Sequence, residues 1–190
     1  IGLQALSGTI DRDDKVIYIC YDNEAYMNTG IQKSGLTPYG TKTTTTPVGK
    51  NIHGSQTHKK NLFEIIAAHD IKYAATASIG YATDYINKVK KASEIDGTSF
   101  IHVVASCPTG WGSPTNTSIE IMKDMVDCGL WYLAEYENKK FKLNKNPTEF
   151  KSVEKYLSSQ ARFKHLDEND IDLIKKHRNE KWEKIRKEWT

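Results

Sequence analysis

Between Leu62 and Val104 the apolar residues change period three times, and this restricts the fold more than any other feature of the chain. Leu62, Ile65, Ile66 and His69 share one side of a helix, and Tyr73-Ala74-Ala75-Thr76-Ala77 is a short strand-like run. Ala82, Tyr85, Ile86 and Val89 then recur at i, i+3, i+4 and i+7, and Phe100-Ile101-His102-Val103-Val104 is a strand again. Helix, strand, helix, strand is the pattern of a parallel sheet with flanking helices. The run Val16-Ile17-Tyr18-Ile19-Cys20 reads as one more buried strand, following a helix over 1–10 in which Leu3, Leu6 and Ile10 recur at helical spacing. The expected fold is therefore α/β with a mostly parallel sheet, occupying 1–130. A sheet domain opening on its first helix lacks the strand that would lie beside 16–20, so the chain is expected to be the C-terminal portion of a longer protein.

Other segments give weaker signals. Residues 22–59 have almost no periodicity, which in a compact domain marks a functional or disordered loop. Thr117-Ser118-Ile119-Glu120 has capping-box form ahead of a helix toward Cys128, with Gly129 suited to close it. From 131 to 190 the character changes to a hairpin and a helical arm. Trp131 to Tyr136 and Phe141 to Leu143 flank a turn at Asn138-Lys139-Lys140, and a helix from Asp167 carries the stripe Ile171, Ile174, Trp182, Ile185 and Trp189. Its tryptophans and basic residues could suit nucleic acid or a membrane surface. Eight acidic residues interleave with eleven basic ones after Phe150, however, which favours an arm packed on a partner or on its own domain.

Composition narrows the function classes. The net charge of +3 is too small to imply a nucleic-acid surface, and no stretch approaches the roughly 18 apolar residues of a membrane span. Cys20, Cys107 and Cys128 are odd in number and widely spaced, which argues against a disulfide framework and for a reducing, cytoplasmic setting.

The ten residues from Tyr21 to Gly30 place an oxygen-rich turn at the carboxyl end of the first strand, where open α/β sheets bind ligands. Asp22, Asn23, Asn28 and free backbone carbonyls are hard donors that suit a magnesium ion holding a phosphorylated cofactor. Asp22-Asn23 alone would equally suit a strand-ending turn, and Asn28-Thr29-Gly30 alone a turn. His53, His58 and His69 have irregular spacing and no carboxylate partner pattern, which speaks against zinc. His102 reads as packed, and Phe63, Tyr73, Tyr85 and Phe100 as core. Thr41 to Lys50 could form a lid or a subunit contact. Cys107 lies in a Pro/Gly loop just after a strand, where a thiolate could reach a cluster, although a lone cysteine is more often a small buried residue.

Tyr21 through Gln32, the Thr-Thr-Pro-Val-Gly-Lys stretch ending at Lys50, Ala105 through Trp111, and Tyr156 through Phe163 resemble the β subunits of pyruvate:ferredoxin oxidoreductases, also called pyruvate synthases. The resemblance runs over essentially the whole chain. It implies a thiamine diphosphate-binding fold and the conversion of pyruvate and coenzyme A to acetyl-CoA and CO2, or the reverse. It also implies thiamine diphosphate, magnesium and a 4Fe-4S cluster as cofactors, with ferredoxin and other subunits of α, γ and δ type as partners. Asp22, Asn23, Ala25, Tyr26, Asn28 and Thr29 would then be cofactor-binding. Magnesium would be held by the Asn23 side chain, the Ala25 carbonyl and an aspartate of a Gly-Asp-Gly motif that would fall before Ile1. Asn28 would face the thiazolium and substrate as the catalytic residue. Cys107 would be the fourth cluster ligand, with the other three outside this chain, and Cys20 and Cys128 would be structural. The proton-transfer glutamate would come from a partner, leaving the isolated chain inactive. Three alternatives stay open: another 2-oxoacid:ferredoxin oxidoreductase, an iron-free thiamine-dependent decarboxylase or synthase, and a non-catalytic α/β interaction module.

Overall fold

Segments whose residues are apolar or small on both faces become interior parallel strands. In the computed structural model, which describes residues 2–189, β1 (Ile17–Asp22), β2 (Tyr73–Ser78) and β3 (Ser99–Val104) pair in parallel in the order β1-β3-β2. Every residue of β2 and β3 is buried, which is why neither alternates in polarity. Strand β1 departs from the buried strand its composition suggests. It is the sheet edge, and Ile17, Ile19 and Tyr21 are exposed on the face where helical cover stops at β3.

The helices divide between the two faces. Phe63 and Ile66 of α2 (Leu62–Ala67) and Leu6 of α1 (Leu3–Arg12) pack with Ala74 and Phe100, whereas Val89 and Ala92 of α3 (Ala82–Glu94) pack with Ala75, Ala77, Ile101 and Val103. The step from β1 to β2 crosses β3 and the step from β2 to β3 returns, so connections of one hand must lie on opposite faces.

Helix α4 (Pro108–Trp111) follows β3, and α5 (Ser118–Asp127) follows a short turn. The capping box expected at Thr117 does not form. Thr117 belongs to a tight helical turn with backbone angles of −95° and 0°, and its hydroxyl donates back to Pro114 O at 2.8 Å. Gly129 closes α5 as anticipated, at φ +79°, with Leu130 N donating to Met125 O.

The segment from 131 onward builds onto this same sheet. Strand β4 (Ala134–Glu137) pairs antiparallel with β2, and β5 (Lys140–Leu143) pairs with β4 across Asn138 and Lys139, both at positive φ as a two-residue type I′ turn requires. After α6 (Val153–Ser158), helix α7 (Glu168–Glu188) starts from a capping box in which Asp167 accepts from Asp170 N and Asp170 from Asp167 N. Its stripe lies on the chain's own domain. Trp189 stacks on Phe141 at 4.5 Å and meets Phe63 and Tyr132 edge-on, while Trp182 donates to Gly129 O at 2.8 Å. Among the described residues no helix is long and apolar enough to cross a membrane. Removing so large a buried ring leaves a cavity, so Trp182→Ala is expected to cost about 3–5 kcal/mol of unfolding free energy in urea titrations. A loss below about 1 kcal/mol would show that the arm contributes little to the core.

Candidate functional site

The carboxyl ends of β1 and β3 are joined where Ala105 N donates to Asp22 O at 3.0 Å, and both long loops leave the sheet there. Beyond that bond the chain alternates inward and outward. Asp22 and Glu24 are fully buried, whereas Asn23 and Ala25 are only half-buried.

The inward pair enters a charge cluster. Asp22 Oδ1 accepts from Glu24 N at 2.9 Å, and Oδ2 accepts from Lys59 at 2.6 Å and from His102 Nε2 at 2.8 Å. Glu24 accepts from Lys59 at 2.9 Å and from Arg162 at 2.6 Å, and its carbonyl accepts from the Thr37 hydroxyl at 2.6 Å. These bonds hold Glu24 at φ +69°, a conformation that a side chain of this size rarely adopts. The Arg162 guanidinium bonds Gln160 at 2.9 Å and stacks 3.6 Å above Trp111, whose indole donates to Asn23 O at 2.9 Å. Burial alone would raise the Asp22 carboxyl, but Lys59 and His102 outweigh it and hold Asp22 ionised well below the usual carboxylate range. Burial keeps His102 neutral, which fits its Nε2 hydrogen being donated to Asp22.

The outward residues line a cavity of about 330 Å³, with Asn23, Ala25 and Tyr26 on one side and Gly2, Leu3 and Leu6 on another. Among the described residues the Asn23 side chain and the Ala25 carbonyl carry no hydrogen bond, so both are free to accept a ligand. Asp22 touches the cavity, but both its oxygens are occupied within the chain, which gives it a supporting position. Asn28 and Thr29 are not among the residues lining this cavity. Tyr26 and Gln32 pair through two backbone bonds at 2.9 and 3.1 Å, and this closure carries both residues out to an exposed turn.

Cys107 is half-buried at the residue before α4. A Cβ on Gly110 would meet the Met27 sulfur and approach Cys107 Sγ to 3.4 Å, so a larger residue there requires the Met27 side chain to move. Among the described residues Cys107 joins no group of three metal-ligating side chains. Burial pushes the Cys20 thiol up to about 11 and the Cys128 thiol up to about 12, consistent with neutral structural cysteines.

Two histidines differ from the sequence reading. His102 is packed, yet it is also bonded to Asp22. His53, read as lacking a carboxylate partner, meets Asp170 at 2.7 Å with Asp167 nearby. Those carboxylates also form the α7 capping box, so the contact works as a clasp between the long loop and the arm. Lys59, Glu24 and Arg162 also went unread as a unit. The available signal was two acids at a strand end, which need cations once buried.

The family described as thiamine pyrophosphate enzyme, C-terminal TPP binding domain, matches residues 1–103. The chain belongs to this family. The match contains α1, the outward oxygens and the cavity, whereas Cys107 and the arm lie beyond it. Among similar proteins, the ketoisovalerate oxidoreductase subunit VorB of Pyrococcus horikoshii is 51% identical over 98% of the chain and 61% of its own length. The pyruvate synthase subunit PorB of Methanothermobacter thermautotrophicus is 49% identical over 93% of the chain and 62% of its own. The chain thus spans about three-fifths of each of these curated relatives. A solved 2-oxoglutarate:ferredoxin oxidoreductase from Magnetococcus marinus, with 2-oxoglutarate, coenzyme A and succinyl-CoA bound, shares the fold of this TPP-binding domain. Its TM-score is 0.50 and its identity 23%, over 56% of this chain and 35% of that one.

In this TPP-binding domain the His53 clasp has a definite pH signature. The hydrogen bond to Asp170 raises the His53 pKa above 6.5, so its stabilisation is fully present below that value and is lost as pH rises through the folded pKa. The stability difference between wild type and His53→Ala, from urea titrations across pH, should shrink as pH increases. A difference that stays constant would contradict the clasp.

Proposed function

We propose that this chain is the thiamine diphosphate-binding, β-type subunit of a 2-oxoacid:ferredoxin oxidoreductase, acting on pyruvate with coenzyme A to give acetyl-CoA and CO2, or in reverse. The observation that carries the reading is the pair of unbonded hard oxygens, Asn23 side chain and Ala25 carbonyl, on a cavity within the segment matched to the TPP-binding family. That donor set fits a magnesium–diphosphate unit, which favours oxygen ligands and keeps several positions for water and phosphate. When bound, thiamine diphosphate supplies the carbanion chemistry and electron storage that 2-oxoacid decarboxylation requires.

The chain's own residues then have distinct roles. Asn23 and Ala25 hold the metal, while Tyr26 and Thr29 border the cofactor. Asp22 fixes the turn from behind. Asn28 donates its amide hydrogens to the substrate oxygen, stabilising charge there. Cys107 gives one thiolate to a 4Fe-4S cluster whose other ligands come from outside this chain. Subunits of α, γ and δ type complete a cytoplasmic hetero-oligomer that delivers electrons to ferredoxin, and the isolated chain is inactive. A second reading, with a branched-chain 2-oxoacid as substrate, is favoured by the ketoisovalerate oxidoreductase relative, at 51% against 49% identity.

The test uses the purified whole complex, assayed for coenzyme A-dependent ferredoxin reduction with pyruvate and with 3-methyl-2-oxobutanoate. Pyruvate is expected to have the larger kcat/KM, and Asn23→Ala to weaken thiamine diphosphate binding by about tenfold or more. A preference for 3-methyl-2-oxobutanoate would select the second reading. Neither turnover nor cofactor binding would leave an interaction module.

A further inference from the structure

A second cavity, of about 100 Å³, lies between the loop from Pro38 to Asn61, the residues Trp131 and Tyr132 ahead of β4, and helix α7. Glu24 alone lines both this cavity and the one beside Asn23. Its walls are largely apolar, with Tyr39, Trp131, Leu157 and Ile174 among them, while its charged groups are nearly all basic. Lys59, Lys60, Arg178 and Lys181 face one carboxylate, Glu24, which Lys59 and Arg162 already engage.

Lys181 is the group left over. Its ammonium lies 4.5 Å over the Tyr132 ring, and among the described residues no carboxylate comes within ion-pair distance of it. Arg178 gives its hydrogens to Cys128 O and to Asn179 and likewise has no acid. Around Lys181 stand Lys59 from the loop, His102 of β3, Glu64 of α2, Tyr132, and His177, Arg178 and Lys184 of its own helix. Of these only Glu64 carries negative charge, and it bonds Lys184 at 3.3 Å. Burial, with Lys59 and Lys184 adding repulsion, pushes the Lys181 ammonium down to about 8. Next to it the exposed side chains of His58 and His177 stack with ring centres 3.7 Å apart. Lys59 is neutralised by Asp22 and Glu24, but a pocket that sets Lys181 and Arg178 against apolar walls with no carboxylate partner among the described residues suits an anion.

We propose that this cavity binds a small organic carboxylate, its apolar body between Tyr39, Trp131 and Ile174 and its anionic head on Lys181. The Asn61 amide group lies at the same pocket, its oxygen already taken by the Tyr132 hydroxyl at 2.8 Å, so its NH2 hydrogens are left to donate. The site is separate from the cofactor cavity and does not rest on the function proposed above.

The test is calorimetric titration of the intact protein with isobutyrate, and with inorganic phosphate for comparison, at constant ionic strength. Saturable isobutyrate binding is expected, about tenfold weaker in Lys181→Gln and unchanged in Asn23→Ala. In wild type the affinity should fall as pH rises through about 8, where Lys181 loses its proton. This second readout holds even if the glutamine variant misfolds. Absence of saturable isobutyrate binding, binding of phosphate alone, or an affinity insensitive to pH across that range would overturn the proposal.

Discussion

Two carboxylates, two cations and one neutral histidine, all out of water at the end of β1, set the arrangement on which the rest of the structure depends. Ionised groups lose several kcal/mol each on leaving water, so each must find a partner of opposite sign with good geometry. Asp22 and Glu24 do so with Lys59 and Arg162, giving a cluster with two positive and two negative charges. The bonds join distant parts of the chain: Lys59 ends the long loop, His102 belongs to β3, and Arg162 comes from 138 residues beyond Glu24. The C-terminal segment is therefore part of what shapes the first loop. Its Arg162 holds Glu24 in the left-handed conformation, and its stacking partner Trp111 bonds the carbonyl of Asn23.

The functional consequence follows from alternation. Fixing Asp22 and Glu24 inward turns the Asn23 and Ala25 side chains outward, and both residues line the cavity with the Asn23 side chain and the Ala25 carbonyl unbonded among the described residues. The proposed magnesium–diphosphate unit would need such donors preorganised, because magnesium tolerates little departure from octahedral geometry. Glu24 stands between two cavities, one offering oxygen acceptors and the other a surplus of cations. Opposite polarity on either side of one residue is possible because the cluster is itself neutral.

Much of this was legible locally. The periodicity of α3, the largely apolar β2 and β3, the turn at Asn138 and Lys139, and Asp167 as the α7 cap all depend on neighbours in sequence. The segment from Tyr21 to Gly30 is legible as a turn at a strand end for the same reason. What escaped depends on distant contacts. Strand β1 is apolar on both faces, and only the sheet order shows that one face is uncovered. Thr117 has the right partner three residues on, but a preceding tight turn redirects its hydroxyl. His53 and Asp170 are 117 residues apart, and Asp22 and His102 are 80 apart, so neither pair leaves a spacing signature. Asn28 sits in an exposed turn closed by a backbone pairing between Tyr26 and Gln32 that composition does not encode.

That the charge cluster acts as one unit is tested most directly by a double-mutant cycle on Glu24→Gln and Arg162→Met, read as unfolding free energies in urea. Each single change leaves an uncompensated buried charge and should cost about 3–5 kcal/mol, whereas the double variant should cost little more than either alone, a coupling of about 3 kcal/mol or more. Additive losses, with a coupling below about 0.5 kcal/mol, would contradict the claim that Arg162 and Glu24 hold the loop together.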